Sequence, residues 1–156
     1  MKKILFLLLL LFSQNIYANT IICKCDPYCK GKNFDLSKEQ YEDSTMPKGV
    51  SVFVYDANKT GLNQAVAYWP QTYTKEYKNA EKTDLMVWTG ENNPYSPNVS
   101  HMSELISFIY LFPHGGTKIW TYFPKEKKMI EMKTNNFSDY SYGYLFYYEN
   151  CEEVIE

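Results

Sequence analysis

The chain has 156 residues, 16 basic and 18 acidic, a formal charge of −2, and an aromatic content of 17% that includes 15 tyrosines. Every basic residue is a lysine, and many sit beside acids, as in KEQYED (38–43). Without arginine forks for phosphate and without a basic stripe, the composition excludes a nucleic-acid partner.

The first element is a leader. Lys2 and Lys3 precede an unbroken apolar run from Ile4 to Phe12, and Ala18 offers a small residue for cleavage. This is the layout of a secretory signal peptide. A nine-residue run is far short of the about 20 apolar residues that a membrane helix needs. The expectation is a cleaved signal peptide over 1–18 and one β-rich domain over 19–156. The mature protein would be exported, periplasmic or secreted, with no stable membrane insertion after cleavage. Removing two lysines with the leader moves the charge from −2 to −4.

Next comes IICKCDPYCKG (21–31), with three of the four cysteines; the fourth is Cys151. A zinc site needs paired ligands at close spacing. C-x-C-x3-C followed by one distant cysteine does not provide them, so no metal and no cofactor are expected. In an oxidising compartment four cysteines make two disulfides. Cys23 and Cys25 point the same way on an extended strand and do not suit each other. Cys23–Cys151 with Cys25–Cys29 is the expected pairing; Cys25–Cys151 with Cys23–Cys29 is the close alternative. Either long link ties the last strand to the first and closes a loop worth about 4–5 kcal/mol at most.

FDLSKEQYED (34–43) is polar and is expected to hold one short helix capped by Asp35 or Ser37. From there the pattern has strand period. VSVFVY (50–55) and NQAVAYW (63–69) flank the turn formers DANKTG, and TDLMVWTG (83–90) is a further strand. GENNPYSPN (90–98) reads as a loop. SELISFIYLF (103–112) fits either a helix or a strand, but the PHGG turn and TKIWTYF (117–123) that follow favour a hairpin. PKEKK (124–128) turns the chain into MIEMKT (129–134), and YSYGYLFYYENC (140–151) is a long last strand. The fold class is all-β, with one or two short helices at most: an antiparallel meander, disulfide-stapled, closed as a small barrel or packed as a sandwich.

Alternation in the last strand puts Tyr140, Tyr142, Tyr144, Phe146 and Tyr148 on one face. With Trp120 they form the candidate binding set, since tyrosine supplies rigid area together with a hydroxyl. No catalytic residue is assigned. His114 sits in a Gly-Gly turn without a nucleophile at motif spacing. Ser100, His101 and Glu104 are sequence neighbours, which rarely make a triad. No carboxylate pair suits glycoside hydrolysis. Sequons at Asn58, Asn98 and Asn136 fall in expected turns and matter only in a eukaryotic secretory route.

The function expected from these features is a small exported binding protein, not an enzyme. It acts by surface contact on a protein partner or a cell-wall glycan, and an inhibitor or immunity-type protein is one concrete version. The alternative is a barrel for a small ligand or glycan, its cavity lined by Trp69, Trp88 and Trp120. A hydrolase using His114 or His101 is the third reading.

Overall fold

The computed structural model describes residues 18–35, 37–89, 105–136 and 141–155. These form nine strands: β1 Asn19–Asp35, β2 Gln40–Tyr55, β3 Gly61–Tyr68, β4 Lys82–Thr89, β5 Ile106–Leu111, β6 Thr117–Phe123, β7 Lys128–Asn136, β8 Ser141–Tyr148 and β9 Asn150–Ile155. Each strand from β1 to β8 pairs antiparallel with the next, and β8 pairs with β1. The meander therefore closes into a ring, which satisfies the backbone groups that an open sheet would leave at its edges. Residues 1–17 of the leader, the 90–98 loop with Asn98, and Ser100, His101, Glu104 and Tyr140 lie outside the described residues.

β1 is the hinge of this closure. One flank of β1 pairs with β2, and the other takes β9 against residues 19–24 and β8 against residues 30–35. The expected single last strand is thus two strands broken at Glu149. The cause is a register slip: from Lys24 to Lys30 β1 advances six residues while its partner moves only from Asn150 to Tyr147. The extra β1 residues form the small loop closed by Cys25–Cys29. Cys23 and Cys151 are direct register partners with Cα atoms 4.1 Å apart, joined across the ladder. Both disulfides follow the expected pairing.

The helix expected within 34–43 is absent; that segment is the β1–β2 hairpin. Asp35 Oδ1 accepts hydrogen bonds from the Ser37 amide (3.0 Å) and hydroxyl (2.5 Å), and its other oxygen pairs with Lys38 at 2.9 Å. These bonds push the Asp35 carboxyl down to about 2, chiefly through Ser37 and then Lys38. The would-be helix cap is consumed in a turn, and Glu39 at φ 53° sends the chain back. The only helical piece among the described residues is a 3-10 turn over Tyr77–Asn79. The ambiguous 103–112 segment contains strand β5.

The ring interior is filled by alternate residues. Ile21, Phe53, Ala65, Ala67, Leu85, Val87, Phe108, Trp120, Tyr122, Met129, Tyr148 and both disulfides form one core. Rings dominate it: Phe53 stacks on Phe108 at 4.7 Å and meets Trp120 edge-on at 5.6 Å. A second cluster, Ile22, Val52 and Tyr77, lies on the opposite face of β1 and β2, packed with Val50, Val54, Tyr68 and Tyr73. The β3–β4 connection supplies Tyr73 and Tyr77, whose rings stack at 5.6 Å, and so covers that part of the outside.

Candidate functional site

On β5–β8 the strand period sorts the side chains into two faces of unusual character. Across the inside, the register aligns Phe108, Trp120, Glu131, Phe146 and Gly31 as cross-strand neighbours. All five are buried. Gly31 has to be glycine, because a Cβ there would come within 2.3 Å of the Phe146 ring and 2.2 Å of the Leu145 carbonyl.

Glu131 is the one charged member of this layer and is 1% exposed. Four donors meet it. Trp120 Nε1 (2.8 Å) and the Tyr148 hydroxyl (2.5 Å) donate to Oε2, while the Tyr144 hydroxyl (2.7 Å) and Lys118 Nζ (2.7 Å) donate to Oε1. A carboxylate offers about four lone-pair sites, so this one is saturated. Burial and then the Glu131 charge hold the Tyr144 and Tyr148 hydroxyls far above the usual phenol range. Both therefore remain donors. The network is charge-compensated and fully bonded, the condition under which a buried polar group is tolerated.

One layer nearer the hairpin end, the inward row reads Tyr110, Lys118, Lys133, Tyr144, Asn33. Two lysines face each other here on adjacent strands. Lys118 Nζ lies 4.5 Å from the Trp120 ring centroid and 5.4 Å from that of Trp69. Lys133 Nζ lies 4.9 Å from Phe112 and 5.8 Å from Tyr144.

The outside is the reverse. Met86, Ile109, Ile119, Met132 and Leu145 are successive cross-strand partners over five strands, about 19 Å at the usual strand spacing. None is buried. The flanking rows add Trp88, Ser107, Thr121, Ile130 and Tyr147 on one side, and Leu111, Thr117, Thr134 and Gly143 on the other. From β4 to β8 these rows carry no charge, and on β1 they end at Lys32 and Lys30, the partners of Leu145 and Tyr147. Leu111 is 56% exposed, Tyr147 44% and Met132 36%. Tyr73 and Tyr77 cover the outer apolar positions of β1 and β2; here the Phe34 ring covers Gly143 at one margin, and no described segment covers the row from Met86 to Leu145.

Of the sequence candidates, Tyr142, Tyr144, Phe146 and Tyr148 do share the inner face of β8. Trp120 and Tyr148 are buried at 1% and 2%, and Phe146 is also buried. They are floor and core, not a stacking surface; only Tyr142 and Tyr144 are half-exposed. The three tryptophans do not converge, since Trp69 and Trp120 stack inside at 5.5 Å while Trp88 is on the outer face. His114 is exposed in the β5–β6 turn, and among the described residues nothing bonds to its ring. The sequence reading missed Glu131, Lys118, Lys133 and the outer row. Their signal was the alternation of KIW and MIEMK, which shows sidedness only once the strands are in register.

No protein-family model matches this chain, and comparison with curated proteins and with solved structures finds no similar protein.

Proposed function

We propose that this is an exported binding protein that acts by surface contact, docking a protein partner on the outer face of β5–β8. The observation that carries the reading is the uncharged row from Met86 to Leu145, left uncovered by the described residues. Contiguous exposed apolar surface is uncommon on monomeric proteins and marks docking sites. The core of a protein interface is depleted in charge and enriched in methionine and aromatic groups, and Met132, Tyr147 and Trp88 fit that composition. The stapled ring holds the face rigid, so little conformational entropy is lost on binding. An inhibitor or immunity-type protein would work in this way, by covering a partner's surface. The two disulfides suit an oxidising, exported environment.

The test is capture of a partner from an exported-compartment extract by the disulfide-bonded protein and by the double variant Ile119→Lys/Met132→Glu. These positions are direct register partners, so the opposite charges can pair and preserve the strands. Wild type is expected to retain a specific partner at micromolar strength and the variant to lose it with unchanged thermal unfolding. Absence of any such partner, or equal capture by both proteins, would overturn the reading. So would a wild-type dimer that the variant splits, which would assign the face to self-association.

A further inference from the structure

Ring closure puts the inner row near the hairpin end on a concave side, half-exposed above a buried layer, and the two together make a shallow cup. Its floor is the buried layer of Trp120, Glu131 and Phe146, and its wall includes Tyr110, Phe112, Lys118, Lys133, Tyr144 and Asn33. The charge balance of this cup is uneven. Like charges directly opposite each other on adjacent strands are destabilising, yet Lys118 and Lys133 occupy such a pair. Glu131 neutralises Lys118 at 2.7 Å. Lys133 has no carboxylate partner among the described residues and rests on the Phe112 and Tyr144 rings. Among the described residues one ammonium is thus left over, held beside half-exposed aromatic faces in a protein whose overall charge is negative.

We infer that this cup is a binding site for an acidic sugar residue, with Lys133 taking the carboxylate. The Tyr144 ring, with Tyr110 and Phe112 in edge-to-face contact at 4.9 Å, supplies apolar surface for the C–H face of a pyranose. Asn33, half-exposed and paired with Tyr144 in the same row, offers an amide for a ring hydroxyl. Pockets of this kind pair apolar walls with a few fixed polar groups. A peptide is the poorer fit. The β6, β7, β8 and β1 backbones are already paired on both sides, so no strand can be added there. The cup opens inside the ring and the proposed docking face lies outside, so either proposal can fail without the other.

The test titrates the disulfide-bonded protein with trigalacturonic acid, with neutral cellotriose and with an acidic peptide, following tryptophan emission and heat. Trp69 and Trp120 lie at the wall and floor, so occupancy is expected to quench emission. The acidic trisaccharide should bind at least tenfold more tightly than the neutral one. Lys133→Met keeps the packing stem and removes the charge; it should weaken the acidic sugar at least tenfold, and Lys133→Arg should restore it. No binding of the acidic trisaccharide, equal affinity for both sugars, an unchanged Lys133→Met affinity, or binding of the peptide alone would overturn the inference.

Discussion

Strands β5–β8 hold Lys118, Glu131 and Lys133 inside, next to the aromatic core, and carry aliphatic groups outside, where a half-solvated sheet is usually polar. On β7 the inward residues are Met129, Glu131 and Lys133, while Ile130 and Met132 face out. β1 and β2 differ. Their outer apolar residues Ile22 and Val52 are buried, and the chain itself covers them with Tyr73 and Tyr77. The contrast teaches that outer aliphatic residues are core where a connection crosses them and a candidate contact surface where none does. It also explains why a charged residue can be indispensable to the interior: Glu131 ties three strands together from within.

The largest break comes from opening the ring. Replacing Cys23 and Cys151 with serine removes a crosslink between residues 128 apart in sequence. The expected loss is about 4–5 kcal/mol in the chain-entropy model. Loss of Cys25–Cys29, only 4 apart, should cost about 2 kcal/mol on the same basis. Chemical denaturation of the two double mutants checks the ranking, and equal losses would mean that closure does not depend on the long staple. Almost as large is Glu131→Ala. It leaves the partly buried Lys118 ammonium and three neutral donors without their acceptor, a loss of about 3–5 kcal/mol, against a smaller one for Glu131→Gln.

A pH titration sharpens the same point. The folded state holds the Tyr148 phenol well above its ordinary value, by burial first and the Glu131 charge second. Above about pH 10 the unfolded chain releases this proton and the folded chain keeps it. The stability contribution is therefore complete below pH 10 and falls as pH rises beyond it. The slope is about 1.4 kcal/mol per pH unit for this one group. Tyr148→Phe should flatten the alkaline limb. The smallest expected effect on stability is at the outer face, where Met132→Lys should change unfolding by no more than about 0.5 kcal/mol while abolishing partner capture. If Met132→Lys instead unfolded the protein, the outer row would be core.

Much of the architecture was legible because strand period and turn chemistry agree locally. DANKTG, PHGG and PKEKK each precede a strand as read, and the observed cysteine pairing is the favoured one of two that spacing left open. The Asp35–Ser37 turn was misread because the same residues that cap helices also close hairpins, and only pairing with β1 decides between them. The Tyr142–Tyr148 alternation was read as one face, but not which side of the ring it lines. Sidedness is a property of closure: Glu131 looks like an ordinary surface acid in MIEMK until Trp120, Tyr144 and Tyr148 are brought against it by register.

Both functional proposals depend on that sidedness, and two methionines three positions apart on β7 report it directly. Met129 is fully buried inside the ring, and Met132 is 36% exposed outside. Mild peroxide treatment of the native disulfide-bonded protein, followed by peptide mass analysis, should oxidise Met132 quickly and leave Met129 protected until the protein unfolds. Equal oxidation of the two, or faster oxidation of Met129, would contradict the account.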